Sequence, residues 1–96
     1  MRVELSELAL DDLQQLDELY TRSGGTGHEP SELVLAAAEH LASFPLMGAI
    51  HHDAVLAQRG FRKLLAGNYV AVYRVDGRRV VIYRVFDQRS NYAAHM

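Results

Sequence analysis

The tetrapeptide Val75-Asp76-Gly77-Arg78 limits this chain more than any other stretch, because it stands between two runs dense in valine, isoleucine, tyrosine and phenylalanine. Asp-Gly accepts the positive φ angles of a type I′ turn, so the spacing predicts a β-hairpin with Asp76 and Gly77 as its two-residue loop. Val75 then pairs with Arg78, Arg74 with Arg79, Tyr73 with Val80, and so on to Tyr69 opposite Arg84. Alternation puts Val70, Val72, Arg74, Arg79, Val81, Tyr83 and Val85 on one face, and Tyr69, Ala71, Tyr73, Val80, Ile82, Arg84 and Phe86 on the other. Both faces are largely apolar. The preceding run from Gly60 through Leu64 reads as a further strand, making three in succession.

A sheet of this kind needs cover, and the N-terminal half supplies it. Arg2 to Leu5 alternates polar and apolar residues and suits a short strand with Val3 and Leu5 inward. Ser6 can cap a helix running from Glu7 to about Arg22, with Leu10, Leu13, Leu16, Leu19 and Tyr20 at helical spacing. Asp11 and Asp12 favour the start of that helix and read as part of its solvated face. Ser23 to Pro30 is a loop by composition; it lacks the preceding buried strand and the Gly-Lys-Ser/Thr of a phosphate loop. Pro30 opens a second helix that stops at about Ser43, before Pro45, with Leu33, Ala37, Leu41 and Phe44 as its stripe. The pattern is therefore α+β: strand, helical hairpin, then an antiparallel three-stranded sheet, in the order β-α-α-β-β-β.

Two helices cover one side of such a sheet. The second apolar face then calls for a partner protein, a cofactor, another copy of the chain, or the C-terminal tail folded back. Ninety-six residues with 49% hydrophobic content suit a single domain, 1–96, with one core. The absence of cysteine excludes a disulfide framework, a thiolate zinc site and a cysteine nucleophile. Neither a secretory signal nor a run of about 20 apolar residues is present, so the expectation is a cytoplasmic protein with no membrane partner.

Charge is unevenly placed. Residues 1–48 hold nine acids against two bases, and residues 49–96 hold eight bases against three acids, within a net charge of −2. Either acidic helices match a basic sheet within the molecule, or the basic end faces an anionic partner. His51-His52-Asp53 suggests a metal site. Adjacent histidines on an extended chain point in opposite directions, however, and the spacing favours a polar loop. No metal ligand set and no cofactor are expected.

The runs Phe44-Pro45-Leu46-Met47-Gly48, Gly60-Phe61-Arg62-Lys63-Leu64, Gly67-Asn68-Tyr69-Val70-Ala71-Val72-Tyr73-Arg74-Val75 and Val81-Ile82-Tyr83-Arg84-Val85-Phe86-Asp87-Gln88-Arg89-Ser90-Asn91-Tyr92 follow one another in a telling order. Together they resemble the RelE/ParE family of type II toxin–antitoxin toxins. The resemblance implies a sheet curved around its helices, a concave side turned to the target, and a cognate antitoxin that wraps the toxin into a hetero-oligomer. The second apolar face is then where the antitoxin or target docks, with Lys63, Arg74, Arg84, Val70, Val72 and Tyr83 as contact candidates.

The same resemblance offers two mechanisms. ParE-like members poison DNA gyrase without chemistry of their own. RelE-like members cleave mRNA on the ribosome without a metal: cations stabilise the phosphorane charge while an acid, histidine or tyrosine moves protons. For either, Arg62 and Arg89 are the leading candidates, with Asp87 or Tyr92 able to handle a proton. RelE-like members often carry arginine directly after the first tyrosine of the central strand, and here that position is Val70. The reading therefore leans to the gyrase-directed toxin, with the endoribonuclease and a non-toxic degenerate binding module as alternatives. Structural roles are open to the basic residues too: Arg78 and Arg79 solvated at a hairpin tip, Arg84 paired with Asp17, Glu18 or Glu39.

Overall fold

The computed structural model describes residues 1–89 of the 96. Its elements are β1 (Arg2–Leu5), α1 (Glu7–Arg22), α2 (Pro30–Ser43), β2 (Ala49–Ile50), α3 (Ala54–Gln58), β3 (Arg62–Ala66), β4 (Tyr69–Asp76) and β5 (Arg79–Asp87). The five strands form one mixed sheet in the order β1-β5-β4-β3-β2. The three consecutive antiparallel strands expected from the sequence are its centre. β1 adds to β5 in parallel, and β2 adds to β3 antiparallel over Ala49–Lys63 and Ile50–Arg62.

The first two helices begin and end where their chemistry directs. Ser6 caps α1 by accepting the Ala9 amide at 3.0 Å and donates its hydroxyl to the Tyr83 carbonyl at 2.7 Å, which fixes α1 against the sheet. Pro30 sits buried in the first turn of α2. Asp17, on α1, accepts the Ser31 amide at 2.9 Å, so a carboxylate of one helix serves the N-terminus of the other. Ala9 and Leu13 of α1 join Val34, Ala38 and Leu41 of α2 over Leu64, Ala66, Ala71, Tyr73, Val80, Ile82 and Val85 of the sheet. Leu10 and Leu19 were expected in the stripe of α1 but are exposed, because the helix turns Ala9 and Leu13 to the core and those two leucines away.

The β4–β5 hairpin corrects two expectations. Asp76 pairs with Arg79 and Val75 with Val80, so the loop is Gly77-Arg78. Gly77 alone takes a positive φ, 63°, the pattern of a type II′ turn with glycine at the first central position. Further along, Tyr73 pairs with Ile82 while Val72 pairs with Arg84, leaving Tyr83 as an extra residue on β5. This bulge resets the alternation. Val85 enters the helix-side core opposite Ala71, and Phe86 moves to the other face opposite Val70, the reverse of the unbulged reading.

The second face is not bare. α3 and the turn after it lay Leu56 and Phe61 over Val70 and Val72, with Tyr83 and Phe86 alongside. Asp53 starts α3 by accepting the Val55 and Leu56 amides at 3.0 and 3.1 Å. The alternative in which the C-terminal tail covers this face falls outside the described residues.

Candidate functional site

Arg62 and Lys63 are neighbours on β3 and therefore face opposite sides of the sheet. Arg62 pairs with Tyr73 on the helix side. Its guanidinium donates to the carbonyls of Gly48 at 2.8 Å and Leu46 at 3.3 Å, and so ties down the connection after α2. Tyr73 completes this latch, its hydroxyl accepting the Gly48 amide at 2.9 Å. Burial raises the Tyr73 pKa, opposed by that hydrogen bond.

Lys63 lies on the other face, where a recess of 360 Å³ is lined by His52, Lys63, Leu65, Val70, Gln88 and Arg89. The ammonium of Lys63 donates to Nδ1 of His52 at 3.2 Å. His52 is held there by stacking on His51, with ring centroids 4.6 Å apart and planes 25° from parallel. His51 is buried and its Nδ1 accepts the Asp53 amide at 3.0 Å. Burial, then the neighbouring His52 and Lys63, lower the His51 pKa. The expected solvated, oppositely pointing histidine pair is thus replaced by a stacked one, because the chain bends at His52 and Asp53 to enter α3. Sequence reasoning weighed His52 only as a metal ligand or part of a polar loop, and missed Leu65 and Gln88; the signal for the bend was Asp53 followed by Ala54-Val55-Leu56-Ala57.

Arg89 reaches the recess from the end of β5. Its guanidinium donates to both carboxylate oxygens of Asp87 at 3.1 and 3.0 Å, and its side chain remains 82% exposed. Those hydrogen bonds hold the Asp87 carboxyl below the usual carboxylate range. Tyr92, named with Asp87 as a proton carrier, lies outside the described residues.

Arg74 belongs to a different cluster. Its guanidinium donates to Asp76 at 2.7 Å and to the Tyr83 hydroxyl at 3.3 Å, with its central carbon 4.9 Å from the Phe61 ring centroid. The Tyr83 hydroxyl donates in turn to Asp76. Arg74 first, and Tyr83 second, lower the Asp76 pKa, while the bond to Asp76 raises that of Tyr83. Arg84 pairs with Asp12 through two hydrogen bonds of 2.8 and 3.0 Å and stacks on Phe86. Its helix partner is thus Asp12, read from the sequence as a solvated acid, in place of Asp17, Glu18 or Glu39. Val70 and Val72 are 2% and 0% exposed and form core under α3. The nine sequence candidates among the described residues therefore divide among a latch, two ion-pair clusters, a buried core and one basic recess. Arg62 and Arg89 do not share a face.

Over residues 3–92 the sequence matches the family described as ParE toxin of type II toxin-antitoxin system, parDE. This chain belongs to the ParE toxin family. It is accordingly a toxin of a type II toxin–antitoxin system. The ParE-family fold is similar to that of a chain in the toxin–antitoxin complex RelBE2 from Mycobacterium tuberculosis. The two are 27% identical, with 90% of this chain and 95% of that one covered and a TM-score of 0.63. It also resembles a chain of the chromosomal ParDE TA system from P. aeruginosa at 20% identity, with coverage of 91% and 95% and a TM-score of 0.62. No curated protein sequence matches the chain. Among the described residues of this ParE-family toxin no helix is long and apolar enough to cross a membrane.

Proposed function

We propose that this ParE-family toxin is a growth inhibitor that is neutralised by a cognate antitoxin and acts by binding DNA gyrase, with no bond-making of its own. Such an activity suits plasmid stabilisation, where loss of the antitoxin releases the toxin. The observation that carries the binding reading is Val70. An arginine aimed at a transferring phosphate contributes of order 10²-fold or more in rate, and a valine packed beneath Leu56 and Phe61 contributes none of it. Arg62 is turned to the helix side by its bonds to Leu46 and Gly48, which supports the same reading. The antitoxin half of the proposal is supported by the two similar structures, both of toxin–antitoxin complexes.

A second reading, cleavage of mRNA on the ribosome, is favoured by one feature: the recess gathers an imidazole, an ammonium and a guanidinium around one space. Expression of the toxin without its antitoxin separates the two. Gyrase action is expected to induce the DNA-damage response and to inhibit supercoiling by purified gyrase while translation of a reporter mRNA continues. Cleaved mRNA with intact supercoiling would replace it with the nuclease reading, and unaffected growth would leave a binding module.

A further inference from the structure

At the far side of the sheet from β2, β1 is an edge strand: among the described residues its strand neighbour is β5 alone. It is four residues long and carries neither a proline nor a bulge to blunt it. The Ser6 amide donates to the Ile82 carbonyl and so turns inward. Peptide groups alternate in direction along an extended strand. Glu4 therefore turns inward with Ser6, while Val3 and Leu5 present their amides and carbonyls to the open edge. The side chains divide by face. Val3 and Leu5 pack against the core beneath the helices, and Arg2 and Glu4 lie on the other side of the sheet.

The charges on this edge select its occupant. Arg2 is paired in the sheet with Arg79, a like charge, and Glu4 bonds to both guanidiniums at 2.6 Å. The Arg2 side chain stays 75% exposed toward the open side. A second copy of β1, laid antiparallel about a two-fold axis at Val3, completes this edge. The two Val3 residues exchange both of their outward peptide hydrogen bonds, and each Arg2 lies directly opposite the other copy's Glu4 in the close, non-hydrogen-bonded pair. Other symmetric registers fail. An axis at Arg2 sets two guanidiniums opposite each other, one at Glu4 sets two carboxylates, and one at Leu5 drives each strand into the first turn of α1 at Glu7. A single self-matching register is what an isologous contact requires. The axis stands normal to the sheet, so it also brings together the two apolar grooves between β1 and α2. Val3, Leu5, Leu35, Ala38 and Ala42 line each groove, with Leu35 46% exposed.

We propose that the toxin self-associates as a two-fold dimer through β1, joining two five-stranded sheets into one, with Arg2–Glu4 pairs across the axis. The contact is independent of which target the toxin binds. Sedimentation equilibrium of the full-length toxin, purified free of antitoxin, tests it. The mass is expected to rise with concentration from that of one chain towards that of two, and the Val3 amide to exchange about ten-fold more slowly at the concentrated end. Arg2→Glu and Glu4→Arg each set like charges across the axis, and each is expected to weaken the dimer about ten-fold or more at low salt. Mixed in equal amounts, the two variants complement each other and are expected to form a heterodimer that native mass spectrometry resolves from either homodimer. Glu4→Arg also loses its bond to Arg79, so circular dichroism checks that it is folded; recovery on mixing separates a lost contact from a lost fold. A toxin that stays monomeric up to about 1 mM would overturn the inference. So would Arg2→Glu dimers as tight as those of the parent, which place the contact elsewhere. A Val3 amide protected only once antitoxin is added would give the edge to the antitoxin and overturn it equally.

Discussion

A Cβ on Gly48 would lie 2.6 Å from Cε1 and the hydroxyl oxygen of Tyr73 and 2.7 Å from the Lys63 carbonyl oxygen. Neither neighbour can give way cheaply, since one is a fully buried ring and the other is strand backbone. Gly48→Ala is expected to destabilise the fold by about 1–3 kcal/mol, as overpacking does. Urea denaturation measures this, and a midpoint equal to that of the parent chain would refute the close-packed latch. Asp76 gives a prediction about acid. Its carboxyl is depressed from an ordinary value of 3.8, chiefly by Arg74. A depressed carboxyl contributes stability that is fully present above the unfolded pKa and is lost as pH falls through the folded one. Thermal melts should therefore show the parent losing stability below about pH 4 more steeply than Asp76→Asn, in keeping with that linkage. Equal acid slopes would show that the Arg74–Asp76–Tyr83 cluster contributes nothing to folding.

At the scale of elements, the polar contact between the α1 side chains and β5 centres on one carboxylate. Asp12 accepts two hydrogen bonds from Arg84 and a third from the Val85 amide at 2.9 Å, in a site where its side chain is 13% exposed. Asp12→Ala withdraws all three and is expected to cost about 2–3 kcal/mol, against roughly 0.5 or less for Asp11→Ala on the exposed side of the same helix. Comparing the two variants by denaturant unfolding tests the assignment, and similar losses would remove it. The Asp12 site exists because the bulge at Tyr83 resets β5. A bulge inserts one residue without altering composition or local propensity, so the alternation read from the sequence holds through Tyr83 and fails beyond it. β2 and α3 were missed for a related reason. A two-residue strand has too few positions to display a period, and a five-residue helix is stabilised mainly by what it covers.

For the molecule as a whole, the charge asymmetry along the chain is partly resolved internally. Asp12 meets Arg84, and Glu4 meets Arg79 at 2.6 Å, so acidic N-terminal elements neutralise part of the basic sheet. Lys63 and Arg89 remain at an open recess, while Arg62 serves the latch on the opposite side. Their substitutions should therefore behave differently. Arg89→Ala is expected to reduce growth inhibition with stability within about 0.5 kcal/mol of the parent. Arg62→Ala is expected to lower the melting temperature, with toxicity falling only as far as folded toxin does. Paired melting curves and induced-growth assays check both, and a toxic, unaltered Arg89→Ala variant would detach the recess from the target.

By itself the sequence determined whatever depends on local periodicity and chain chemistry. The bounds of β1, α1 and α2 follow from alternation, the Ser6 cap and Pro30, and the order of strands with their flanking motifs carried the family resemblance. Tertiary structure decided which residues share a face and which cations stay open. Bulge, edge and latch are long-range arrangements: Arg62 could not be told from Lys63 until β4 placed Tyr73 beside one and Val72 beside the other. Basic residues look alike in a sequence because their charge is local, whereas their function is set by the partner that the fold brings to them.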